Sequence, residues 1–111
     1  MKLLIDKEYD YTPEWNGNKE DDSPIVFHMR AITDSERERF ITKKYIDGHV
    51  EMATNETQIF KAGVTAIENL NINNKDIKTA TDFIACPGLS GLFSEVVAEI
   101  LLNTVRKDLK N

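Results

Sequence analysis

His28, His49 and Cys86 are the side chains of this chain best suited to chemistry, with an acidic run at Glu20-Asp21-Asp22 beside them. A metal site needs three or four converging ligands, usually announced by close spacing of His, Cys and acids. His28 falls on the outward face of a predicted strand and His49 follows a glycine turn. Neither has a third ligand signalled, so both are expected to be surface or structural histidines. The acidic run lacks the alternating oxygen ligands and closing glutamate of a calcium loop. It predicts a solvated loop instead. Cys86 precedes Pro87 with no activating base in view and is expected to be buried and inert. Around Ser90, "GLSGL" has the glycines of a nucleophile elbow, but the second comes one residue early and no strand-turn-helix context surrounds it. Ser90 therefore reads as the start of a helix. Neither a phosphate-binding glycine loop nor a dinucleotide fingerprint occurs. No catalytic residue, metal or cofactor is expected, and the chain reads as non-enzymatic. A hydrolase would need His28 or His49 brought beside Cys86 or an acid by the fold.

Residues suited to holding a partner are easier to find. Trp15 lies in a polar loop near Tyr9 and Tyr11. It either folds back onto the sheet or is offered to another protein. In the terminal stretch "PGLSGLFSEVVAEILLNTVRKDL", residues placed at helical steps separate into two apolar groups. Leu92, Phe93, Val96, Val97, Ile100 and Leu101 fill roughly half of the circumference and form the core face. Ala98, Leu102, Val105 and Leu109 form a second stripe with the spacing of a coiled-coil seam. Glu95, Glu99, Asn103 and Arg106 make the polar seam. A surface helix needs one stripe, so another element of this chain, a second copy or a partner helix must cover the second. Trp15, Ala98, Leu102, Val105 and Leu109 are accordingly the candidate partner-binding residues.

The elements that position these residues follow from local pattern. "KLLIDKEYDYTP" predicts a strand ending at Pro13, and "EWNGNKEDDS" a loop. "PIVFHMRAI" predicts a second strand with Ile25, Phe27 and Met29 on the inner face and Val26, His28 and Arg30 outside. An antiparallel hairpin is the simplest pairing of the two. "TDSERERFITKKYIDG" opens on a capping box, Thr33 with Glu36. It predicts a helix closed by Lys43, Lys44 and Gly48, with Phe40, Ile41 and Tyr45 as its buried stripe. "NETQIFKAGVTAIENL" predicts a second helix capped by Asn55, with Ile59, Ala62, Gly63, Ala66, Ile67 and Leu70 facing the core. Gly63 inside it implies a close approach to another element. "NINNKDIK" suits a small turn or a tiny hairpin, and Thr79 caps a short helical segment ending before Pro87-Gly88. The last helix begins near Ser90. Strands first and helices after predict an α+β fold, with an N-terminal antiparallel β-hairpin packed against three to four α-helices, the long one C-terminal.

Composition sets the outer bounds. The chain has 111 residues, 41% hydrophobic and 30% charged, which suits one domain spanning 1–111. Its net charge of -5 disfavours nucleic acid and anionic membrane as partners. Residues 6–22 carry seven acids against two lysines, so this segment alone accounts for the whole net charge. A single cysteine fits a reducing cytosol, and neither a signal peptide nor a membrane span is expected.

Four segments, "YTPEWNGNKE", "PIVFHMRAITDSERERF", "VTAIENL" and "DFIACPGLSGLFSEVVAEI", resemble the small tail-assembly chaperones of long-tailed bacteriophages and prophages. Shared features are an acidic Trp-Asn-Gly loop after a first strand, a hydrophobic strand leading into T-x-x-E-R, and a terminal PGL…LF-x-E-V helix. The resemblance implies a non-catalytic protein of the host bacterial cytoplasm. It would coat the tape-measure protein and recruit tail-tube subunits, some members also having a frameshifted longer form. Self-association into a homo-oligomer would be compatible with the spare stripe. The alternative from charge alone is a small acidic inhibitor or antitoxin-like regulator covering a basic partner.

Overall fold

A computed structural model describes residue 2 and residues 7–105, with the backbone alone at 104 and 105. The fold is α+β. Strand β1 (Glu8–Tyr11) pairs antiparallel with β2 (Val26–Arg30), as the hairpin reading expects, with Tyr9 opposite Met29 and Asp10 opposite His28. Between them, Trp15–Glu20 coil into a short 3-10 turn kinked where Asn16 and Gly17 have φ of 52° and 74°. Asn and Gly tolerate this left-handed region best, which is why the turn carries them.

Helix α1 (Asp34–Phe40) starts on the Thr33–Glu36 capping box, with both reciprocal bonds made. It then stops eight residues before Gly48. Ile41–Ile46 form β3 and His49–Thr54 form β4, an antiparallel pair. The predicted stripe is correct only at Phe40 and in part at Ile41, since Tyr45 is 81% exposed. Asp47 and Gly48, with φ of 47° and 80°, explain the difference. Two consecutive left-handed residues make a tight turn whose twist matches a hairpin, and Asp-Gly is a favoured pair for it. β-branched Ile41, Thr42 and Ile46 do not resist the extended form.

The second predicted helix divides likewise. Helix α2 (Glu56–Gly63) begins at its Asn55 cap and ends at Gly63, and Val64–Glu68 becomes β5, the third strand of the main sheet. The sheet order is β1-β2-β5 with β2 central. Ile67 and Leu70 are buried as expected, but Ile67 reaches the core from a strand. Met29 pairs with Val64 and His28 with Ala66, so Thr65 is the extra residue of a bulge. Its hydroxyl donates to the His28 carbonyl at 3.0 Å. β6 (Asn71–Ile72) and β7 (Lys75–Asp76) form the tiny hairpin. Thr79 caps α3 (Ala80–Ile84), and α4 runs Ser90–Val105.

The core lies between the inner face of the sheet and α2, α3 and α4. Phe27 from the sheet meets Phe60 and Phe83 edge-on, while the latter two stack with centroids 4.8 Å apart. α4 contributes Leu92, Val96, Val97 and Ile100, the expected core arc. Gly63 is where α2 meets α4. A Cβ there would lie 2.6 Å from Ile100 Cδ1, which accounts for a glycine at the end of a helix.

Candidate interaction surface

The β3–β4 arm stands away from this core. Every residue from Thr42 to Thr54 is exposed, and the arm is tied to the body at its root, where Asn55 N–H donates to Phe40 C=O at 2.8 Å. The radius of gyration, 15.8 Å, exceeds the roughly 13 Å of a compact chain of this length. Directly opposed residues share a face, so the register divides the arm in two. Ile41, Lys43, Tyr45, Val50, Met52 and Thr54 line one face, while Thr42, Lys44, Ile46, His49, Glu51 and Ala53 line the other. The first face is the apolar one. Tyr45, Met52 and Val50 on it are 81%, 62% and 50% exposed. Isolated two-stranded hairpins are marginal in water, and large apolar side chains left on one face point to a covering surface.

At the root the second face, helix α2's first turn and Phe93 enclose an open groove of about 560 Å³. Arg39 and Phe40 line it with Ala53 to Thr57.

On α4, Ala98 and Leu102 are exposed, Leu102 at 59%. Leu109 and the side chain of Val105 fall outside the described residues. Of the expected polar seam, Arg106 falls outside the described residues, and the rest is not a solvent seam. Asn103 is buried, and Glu95 is covered by the N-terminal segment. Tyr11 O–H and Glu14 N–H both donate to Glu95 Oε2, at 2.6 and 2.8 Å. Burial and this carboxylate push the Tyr11 phenol up, so it remains a donor.

Trp15 folds back. Its ring packs against the core at half burial, with Nε1 so close to Gly91 that a Cβ there would lie 3.0 Å away. Asn18, which sequence reasoning missed, holds that loop in place. Its amide donates to Pro13 and Ile25 carbonyls at 2.9 and 3.1 Å, and accepts from Ile25 N–H at 2.7 Å. Trp15 and the exposed Ala98 and Leu102 all belong to the α4 side of the body, whereas the arm's apolar residues are on a separate element.

His28 bridges three strands on the outer face of the sheet. Nδ1 is hydrogen-bonded to Asp10 and Nε2 to Glu68, each at 2.6 Å. The hydrogen bonds to Asp10 and then to Glu68 raise its pKa above 6.5, against a smaller opposing effect of burial. With a carboxylate on each ring nitrogen, both nitrogens are engaged and neither is open to a substrate or a metal. Among the described residues no group of three or more His, Cys, Asp and Glu could hold an ion. His49 lies on the arm with Nε2 3.7 Å from Glu51. Cys86 is half-buried rather than buried, its thiol donating weakly to Asp82 C=O at 3.4 Å. Among the described residues no helix is long and apolar enough to cross a membrane. Comparison with protein families, with curated proteins and with solved structures gave no match.

Proposed function

We propose that this chain is a non-enzymatic interaction protein of the phage tail-assembly chaperone kind, holding tape-measure and tail-tube subunits on exposed apolar surface. The observation that carries this reading is the arm face formed by Tyr45, Val50 and Met52, apolar and uncovered on an element that stands off the core. Leu102 and Ala98 on α4 supply a second contact, and the exposed part of Trp15 a third. An acidic chain with two separated apolar patches suits transient cover of a helical, aggregation-prone rod, since modest interfaces release readily. The resemblance supplies the identity of the partners, and the exposed side chains supply the surface.

The test is a tagged pull-down from phage-producing bacterial cells, with the bound proteins identified by mass spectrometry. Recovery of a very long, helix-rich protein with a tail-tube subunit is expected, insensitive to moderate salt and reduced by Y45S/M52S or by Leu102→Lys. A small basic protein released by moderate salt would overturn the reading. It would place the working surface on the acidic segment, as an inhibitor requires.

A further inference from the structure

We infer that the outer edge of β4 is a self-pairing edge, joining the arms of two copies of this chain into one four-stranded antiparallel sheet. The inference concerns the free chain and does not rest on the identity of any partner.

The hydrogen-bonding parity of the arm comes first. The Asn55–Phe40 bond marks residues 40 and 55 as a bonded pair, and such pairs alternate along an antiparallel ladder. Pairs 42/53, 44/51 and 46/49 therefore use their backbone groups inside the arm. Ile41, Lys43 and Tyr45 on β3, and Val50, Met52 and Thr54 on β4, direct theirs outward. Ile41 N–H is taken by Arg37 C=O, but among the described residues the other outward groups of both edges have no backbone partner, a template for another strand.

Charge then separates the two edges. Two copies can pair antiparallel only where outward residues face outward residues. On β3 the two registers of longest overlap centre on residues 43 and 44, and they set Lys43 against Lys43 or Lys44 against Lys44. Directly opposed like charges are destabilising, and lysine is a common guard on strand edges. β4 carries no lysine. Centring on Met52 places Met52 opposite Met52, Val50 opposite Thr54 and Glu51 opposite Ala53. No like charges meet, and each Glu51 keeps Lys44 opposite it within its own arm.

The same register has two further consequences. Outward residues of β4 all belong to the apolar face, so pairing joins two Tyr45-Val50-Met52 clusters into one platform rather than setting one face down. It also carries the Asp47–Gly48 tip of each arm beside the other's root, where Arg39 and Glu56 both line the groove. Four strands also meet the minimum that makes a sheet independently stable, which two do not.

Sedimentation equilibrium and amide hydrogen exchange on the full chain test this. A dimer is expected, with Val50 and Met52 amides protected as concentration rises and Lys43 and Tyr45 amides exchanging freely. Met52→Lys puts two lysines at the two-fold axis and should raise the dimer dissociation constant about tenfold or more. Met52 is 62% exposed, so this variant should keep its fold by circular dichroism. In a Cys86→Ser background, Met52→Cys should cross-link to a covalent dimer under mild oxidation and Tyr45→Cys should not. A chain that stays monomeric at all concentrations, a dimer indifferent to Met52→Lys, or protection on β3 rather than β4 would each overturn the inference.

Discussion

Asn18 is the side chain on which the acidic loop depends. It is buried, and three hydrogen bonds to Pro13 and Ile25 backbone groups replace the pairing that the loop cannot supply itself. Asn18→Ala leaves those groups without partners and should cost about 1–3 kcal/mol, read from chemical denaturation. His28 gives a second expectation. Its raised pKa means that the Asp10–His28–Glu68 bridge contributes fully below about pH 6.5, and this is lost as pH rises through the folded-state value. Stability should therefore fall as pH rises above about 6.5 through that folded-state value, and His28→Phe should remove that part of the pH profile. Glu36 behaves oppositely. Its bond to Arg30, the largest influence, holds the carboxyl down to about 2, so its contribution is lost only in strong acid. The outward placement of His28 was legible from strand alternation. Its two carboxylate partners were not, because Asp10 and Glu68 reach it from strands far apart in the chain.

Two elements begin as read from the sequence and end as something else. Capping boxes and caps are local, so Thr33, Asn55 and Thr79 all mark true helix starts. Helix ends depend on what the following residues pair with. Val64 to Glu68 could continue a helical stripe or add to the sheet beside β2, and pairing with β2 decides it. Ile41 to Ile46 and His49 to Thr54 show the same competition, with Asp47-Gly48 as the signal that favours a hairpin. Gly63 was readable as a point of close approach, and Ile100 is the residue that approaches. Gly63→Ala should destabilise by about 1–3 kcal/mol through overpacking. Thermal melts of G63A and of the double variant G63A/I100V would measure it, the second recovering part of the loss.

At the scale of the molecule, the body and the arm are separate in their energetics. All sixteen buried hydrophobic residues described lie outside Ile41–Thr54. Replacing residues 42–53 with two glycines should therefore leave the melting temperature of the body within a few degrees of the parent, while partner capture is lost. Unfolding of the shortened chain would show instead that the arm supports the core. The candidate surface was half legible. The spare α4 stripe follows from helical steps, because Leu92, Val96 and Ile100 turn inward while Ala98 and Leu102 do not. The arm's apolar face was hidden, since Tyr45 and Met52 share a side only once their strands are paired.

That pairing also makes the arm a ruler. Its root is closed by one bond between Phe40 and Asn55, so length can change without disturbing the helices on either side. Two residues added to each strand would extend its reach by about 7 Å and keep every side chain beyond on its present side. One residue added to each would turn the tip over, moving Tyr45 and Val50 to the side now held by Lys44 and Glu51. Variants of this arm should accordingly differ in length by even steps per strand.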